Sequence, residues 1–237
     1  MSKPIISIII PVFNEAENIQ KFLKQFKDCS EIEIIIVDGG STDHTRAKIL
    51  EVIGDGKIQL VANNKLGRAN QMNYGAALAR AKILLFLHAD TILPTNYHLI
   101  ISHLLNQKDV ILGAFRLGID SHKKSLKLVE TMVNLRSRFL SLPYGDQGFF
   151  ITKDNFYRLG GFADLPIMED FNFIQKAKHY GKIVIADAAV ITSPRRWQKL
   201  GIIKTTIINQ LIIIGYYFKI SPERLKKIYH RAKIINK

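Results

Sequence analysis

Four strand-length apolar runs, each stopped by polar residues and each of the first three followed by a helix-like segment, restrict this chain more than any other feature. They cover residues 5–10, 32–37, 58–62 and 83–87. Apolar runs of this length without strict alternation suit strands covered on both faces. Between them, 14–26 places Ile19, Phe22, Leu23 and Phe26 on one helical face, 44–53 reads as a second helix, and 68–81 as a helix of small residues. Strands and helices alternating at this spacing form βαβ units, hence a parallel sheet with right-handed crossovers and flanking helices.

The strand ends are where the chemistry collects. Residues 11–15, the stretch Asp38-Gly39-Gly40-Ser41-Thr42-Asp43, and His88-Ala89-Asp90 all follow buried strands, and ligands of open α/β sheets bind at those ends. Asp38 is suited to accept hydrogen bonds from a base or ribose, and Asp90 to hold a hard cation through oxygen. The plainer role for Asp90 is to cap a helix or open the turn carrying Pro94. Arg68, Arg195 and Arg196 match phosphate oxygens in their fork geometry, although arginines also serve as solvated surface. Trp197 beside two arginines suggests a packed site. Neither glycine-rich stretch has the spacing of a dinucleotide fingerprint or the lysine of a Walker loop, which weakens NAD and ATP readings.

Further along, the pattern predicts a helix near 96–107, a strand over 110–117, a helix over 126–142, a glycine-flanked loop at 144–148, and a strand over 149–152. After a second glycine loop at 160–162 come a helix over 168–180 and short strands at 182–186 and 190–192. Residues 200–218 are apolar but interrupted by Lys204, Thr205, Thr206, Asn209 and Gln210, short of the roughly 20 apolar residues of a membrane span. This suggests a main domain over 1–198 and a helical segment over 199–237. The segment either packs on the domain or lies at a membrane interface with its basic end toward anionic headgroups.

The net charge of +14, thickest in the C-terminal third, implies an anionic partner. The lone Cys29 fits a reducing compartment and a small buried role. With no signal-peptide pattern at the start, the expectation is a cytoplasmic protein, peripheral on the inner face of the membrane if the basic segment engages lipid.

Pro11-Val12-Phe13-Asn14-Glu15, Val37 through Asp43, Leu87-His88-Ala89-Asp90, Gly145-Asp146-Gln147, Glu169-Asp170 and Arg195-Arg196-Trp197, in this order, resemble the family-two glycosyltransferases of the GT-A fold. The resemblance implies a mostly parallel, Rossmann-like sheet and a nucleotide-diphospho-sugar donor, with inversion at the anomeric carbon. It assigns Pro11, Phe13, Glu15 and Asp38 to the nucleoside, Asp90 to a divalent metal (Mg²⁺ or Mn²⁺), and Asp170 to the general base. Arg195, Arg196 and Trp197 would sit over the diphosphate, as the related Gln-x-x-Arg-Trp motif does in larger members. Arg68, His88 and Ala89 fall on the donor side, and Asp146, Gln147 and Glu169 on the acceptor side. Gly67 through Asn73 and the compact length further resemble a small bacterial subgroup associated with radical-SAM or arsenosugar genes.

Two departures stand out. Gly39 replaces a second Asp common in the family, and His88 replaces the first acid of Asp-x-Asp. The acceptor would be a small molecule or a lipid-linked one, with an anionic membrane surface as a further partner and nucleic acid disfavoured. The competing readings are a nucleotidyltransferase, which should carry a basic glycine-rich loop near the N-terminus that 11–18 lacks, and a non-catalytic anion- or membrane-binding protein on the same fold.

Overall fold

β1 (Ile6–Val12), β2 (Ile32–Asp38), β3 (Ile58–Ala62) and β4 (Ile83–Phe86) lie parallel in the order β3-β2-β1-β4. The computed structural model describes residues 4–26, 31–54, 56–63, 65 and 67–234, without the side chains of 196, 230 and 232–234. Cys29 therefore lies outside the described residues, as does the Arg196 side chain. Alternation along β1 decides the two cores. Ile6, Ile8 and Ile10 face one layer with Phe22 and Ile101, while Ile9 faces the other with Met72 and Ala76.

Between these strands, α1 (Ile19–Leu23) continues as a tighter turn over Lys24–Phe26. It starts later than the pattern suggests because Asn14 is left-handed, with φ 54°, a conformation that Asn tolerates and helices do not. α2 (Thr45–Leu50) and α3 (Arg68–Leu78) follow. The sheet side of α3 is small: a Cβ on Gly75 would lie 2.5 Å from Ile9 Cγ2, so glycine lets the helix sit directly on β1. α3 stops short of the expected 81 because the Arg80 and Ala81 amides donate to the Glu33 carboxylate instead of continuing the helix.

Beyond α4 (Tyr97–Leu105), the sheet changes direction. β6 (Val110–Ile119) and β7 (Phe149–Thr152) pair antiparallel, and β7 also pairs antiparallel with β4. The two short strands expected over 182–192 are one strand, β8 (Lys182–Thr192), parallel to β6 and accommodated by two register shifts. The two-residue β5 (Thr91–Ile92) pairs antiparallel with the end of β8, Thr91 opposite Thr192. That small pairing brings the residues after β8 beside Asp90. The result is an α/β fold with a mostly parallel sheet flanked by helices, as expected.

α5 (Lys124–Leu140) covers β6 and ends at left-handed Ser141, followed in sequence by the short α6 (Lys153–Arg158) and α7 (Glu169–Lys178). The C-terminal segment forms α8 (Arg195–Leu200), α9 (Ile202–Tyr217) and α10 (Pro222–Ile234). Ile208 and Ile212 of α9 and Leu225 of α10 pack on Met168 and Phe171. No helix among the described residues is long and apolar enough to cross a membrane.

Candidate active site

The loop after β1 is held by the loop after β2. Asn14 N donates to Ser41 Oγ (3.0 Å), Thr42 N to Asn14 Oδ1 (2.9 Å), Glu15 N to Thr45 Oγ1 (2.8 Å) and Ala16 N to Asp43 Oδ2 (3.2 Å). The polar run 41–45 thus ties two strand ends into one rim. Gln71 of α3 completes the tie by donating to the carbonyls of Val12 (2.9 Å) and Val37 (2.7 Å). Sequence reasoning missed this buried glutamine, whose one signal is a polar residue on the small-residue face of α3. Along this rim Pro11 is half-buried and Phe13 is 56% exposed.

Asp38 is turned inward. It is 1% exposed, lies outside the main cleft, and accepts from the Ser41 amide (3.2 Å) and hydroxyl (2.5 Å), with Arg46 Nε at 3.9 Å. In this conformation its carboxylate braces the rim.

The main cleft, about 380 Å³, brings together Arg68, His88, Asp90, Asp146, Glu169, Asp170 and Trp197. These side chains come from the end of β4, the 144–147 turn and the first turns of α3, α7 and α8. Ala89 is buried under the rim. Arg195 reaches two acids: Nη2 lies 3.2 Å from Glu15 Oε2 and 3.7 Å from Asp90 Oδ2. Burial raises the pKa of both Glu15 and Asp90 despite this shared guanidinium. One cation between two such acids leaves charge that a further cation would neutralise. Trp197 is mostly buried against Leu117, Ile119 and Leu126, with an edge on the cleft.

Asp170 sits in the first turn of α7, where the helix dipole favours an anion. Its Oδ2 accepts from Gly145 N (3.0 Å) and its Oδ1 from Phe171 N (2.7 Å). Gly145 makes this approach close: a Cβ there would lie 3.2 Å from Asp170 Oδ2 and 3.5 Å from His88 Nε2. Glu169 is buried and bound to Arg68 Nε, whose Nη1 lies 3.5 Å from His88 Nε2. Burial raises the Glu169 pKa against the opposing pull of Arg68. Met168, just ahead, is left-handed at φ 68°, a strained state for a non-glycine residue, fixed here where the two acids must be aimed. Sequence carries no mark of that strain.

One residue expected on the acceptor side lies inside the fold. Gln147 is wholly enclosed: its Oε1 accepts from Ser137 Oγ (2.8 Å) and Tyr144 N (3.0 Å), and its Nε2 donates to Phe115 O (2.9 Å). These three bonds tie Gln147 into the fold and shape the 144–147 turn. Asp146 and Tyr144 do line the cleft, and the Arg136 guanidinium stacks on the Tyr144 ring at 3.4 Å. Asn209, Ile212 and Ile213 of α9 and Lys226 and Tyr229 of α10 close the far wall. Sequence reasoning had kept this segment apart from the site.

No group of three or more His, Cys, Asp or Glu side chains suited to a metal occurs among the described residues. A single carboxylate, that of Asp90, fits a hard divalent ion whose remaining ligands are waters and substrate phosphates.

The Glycosyl transferase family 2 model matches residues 7–163. Glycosyltransferase AglE of Haloferax volcanii is 38% identical over 93 residues, covering 37% of this chain and 31% of that enzyme. The match thus spans only about a third of that relative's length. Among solved structures, the mannosyltransferase PcManGT from Pyrobaculum calidifontis, in complex with GDP-Man and Mn²⁺, aligns over 98% of this chain and 70% of its own. It does so with TM-score 0.65 at 20% identity. S. aureus TarS 1-349 in complex with UDP-GlcNAc aligns over 80% of this chain and 58% of its own, with TM-score 0.64 at 17% identity. These likenesses establish a GT-A fold.

Proposed function

Because the chain belongs to glycosyl transferase family 2, we propose that it moves a sugar from a nucleotide-diphospho-sugar to an acceptor hydroxyl, with inversion at the anomeric carbon. Membership of the family supports glycosyl transfer; the donor orientation, the base and the metal are our assignments. The observation that carries them is the meeting of Asp90 and Asp170 in one cleft, with Arg195 beside the first and the Gly145 amide on the second.

In this reading Asp170 takes the proton of the acceptor hydroxyl as its oxygen bonds to the anomeric carbon. The bond from that carbon to the diphosphate breaks, and its electron pair leaves with the diphosphate. Each Asp170 oxygen already accepts one amide and keeps a further lone pair for the incoming proton. Glu169, committed to Arg68, fixes the first turn of α7 and so aims Asp170. Arg195 is placed to share the negative charge growing on the leaving group. Asp90 would hold a Mg²⁺ or Mn²⁺ ion, which when bound neutralises the diphosphate; the Mn²⁺ in the PcManGT complex supports this. Phe13, on the exposed rim, offers a face for the nucleoside base, and Pro11 and Glu15 flank it. His88 can donate to ribose or phosphate in place of the acid common at that position.

Thermal-shift screening of UDP, GDP and their sugars with Mn²⁺ or Mg²⁺ tests the donor site, since a ligand bound by the native state alone raises the melting temperature. At least one nucleotide–metal pair is expected to do so. Asp170→Asn should keep that shift while transfer falls about 10²–10⁴-fold. No stabilisation by any nucleotide would remove the donor assignment, and undiminished transfer by Asp170→Asn would move the base elsewhere.

A further inference from the structure

Two helices, α5 and α9, show apolar residues on the side away from the core. On α5, Leu126, Val129 and Val133 pack inward, yet Leu128, Met132, Leu135 and Phe139, spaced i, i+4, i+7 and i+11, form a second stripe that is exposed, Phe139 to 75%. On α9, Ile208 and Ile212 pack inward while Ile203 (76%), Ile207, Leu211, Ile214 and Phe218 (79%) run along the outer side. An ordinary surface helix has one apolar face. Exposed apolar surface on this scale marks a face that something covers.

The helices share neighbours. Val129, Val133 and Ile202 share the Trp197 cluster near their N-terminal ends. Near their C-terminal ends both reach α7, where Lys178 Nζ donates to Leu140 O and Gln175 Nε2 to Tyr217 Oη.

We infer that the outer faces of α5 and α9 form a docking surface for an anionic phospholipid bilayer. Exposed cations bracket both stripes: Lys123 just before α5, Lys124 and Arg138 on it, and Lys199 and Lys219 around α9. Apolar side chains entering the acyl boundary while flanking Lys and Arg meet headgroups is the arrangement of an interfacial helix. A second copy is the poorer occupant, because a two-fold contact sets a patch against itself and brings these like charges together. α9 has a second role: its outer stripe backs onto Asn209, Ile212 and Ile213, which line the cleft. If the transfer reading above holds, the cleft opens beside the membrane surface and suits a lipid-linked acceptor. The docking itself does not depend on that reading.

The test is flotation of the full chain with vesicles of phosphatidylcholine alone or of equal parts phosphatidylcholine and phosphatidylglycerol. The protein should float with the anionic vesicles, stay largely behind with the neutral ones, and release as salt rises. The pairs Leu135→Ser/Phe139→Ser and Ile203→Ser/Phe218→Ser should each lower the bound fraction about tenfold. Lys123→Glu/Lys124→Glu should lower it on anionic vesicles. All three should keep the parent melting temperature and any nucleotide-induced shift, so that failure of docking and failure of the donor site read out separately. Absence of flotation at low salt, serine variants that float like the parent, or a dimer by light scattering that the serine variants convert to monomer would each overturn the inference.

Discussion

At the scale of single residues, the site is a balance of charge left incomplete. Glu15 and Asp90 share Arg195, and burial raises both carboxyl pKa values. A group held in such a state costs stability that function recovers on binding. Asp90→Asn should therefore leave the ligand-free protein as stable as the parent or raise its melting temperature by up to about 3 °C, while abolishing the metal-dependent part of the nucleotide shift. A marked loss of ligand-free stability would make Asp90 a structural partner of Arg195 instead. The second residue to test is Gly145. Gly145→Ala puts a methyl group 3.2 Å from Asp170 Oδ2; displacing a base costs rate steeply, so transfer should fall by about tenfold or more with the nucleotide shift intact. Equal loss of both would mean that the turn supports the donor end as well. The acids of the cleft were legible in the sequence as residue types at strand and helix ends. Their direction was not: Asp38 and Gln147 look inward because of Ser41, Ser137 and the Phe115 carbonyl, partners that no local pattern announces.

At the scale of elements, the sheet is anchored at the end opposite the cleft by a buried acid. Glu33 on β2 accepts from Ser7 Oγ on β1, from Arg80 N and Nε, and from Ala81 N after α3. Burial pushes its pKa up, but these hydrogen bonds win and hold it below the ordinary glutamate value. The sign follows. A depressed folded-state pKa stabilises the fold above the unfolded-state value, and that contribution is lost as pH falls through the folded-state value. Glu33→Gln should lower stability at neutral pH by about 2 kcal/mol, the scale of hydrogen bonds to a charged group. It should also flatten the acid limb of a melting-temperature profile below the ordinary glutamate range. A parallel profile, merely offset, would show that the charge of Glu33 is not what ties β1, β2 and α3. The long elements were legible because β1, β2 and β4 are apolar runs buried on both faces. β5 was not, since two residues become a strand only by meeting the end of β8. The continuity of β8 was hidden too, because register shifts against β6 interrupt its pattern.

At the scale of the whole molecule, the main cleft draws residues from both sides of the boundary suggested near residue 198. Hydropathy separates 199–237 from the α/β pattern, yet α9 and α10 close one wall of the cleft. They are seated there by Leu225, which packs with Ile208, Ile212, Met168 and Phe171. Leu225 fits because residue 215 is glycine: a Cβ at that position would lie 2.6 Å from Leu225 Cδ2. Leu225→Ala leaves a hole at the joint and should cost about 2–5 kcal/mol, lowering the melting temperature by several degrees. The more telling readout is kinetic. Asp90, Arg195 and the 11–15 rim do not depend on α10 for their placement, so the nucleotide shift should persist. The wall formed by Lys226 and Tyr229 would loosen, and the acceptor KM should rise several-fold with a smaller change in kcat, the sign of lost uniform binding. If Leu225→Ala lowers stability but leaves the acceptor KM unchanged, the C-terminal helices only cover the domain, and acceptor recognition belongs to Tyr144, Asp146 and the first turn of α7.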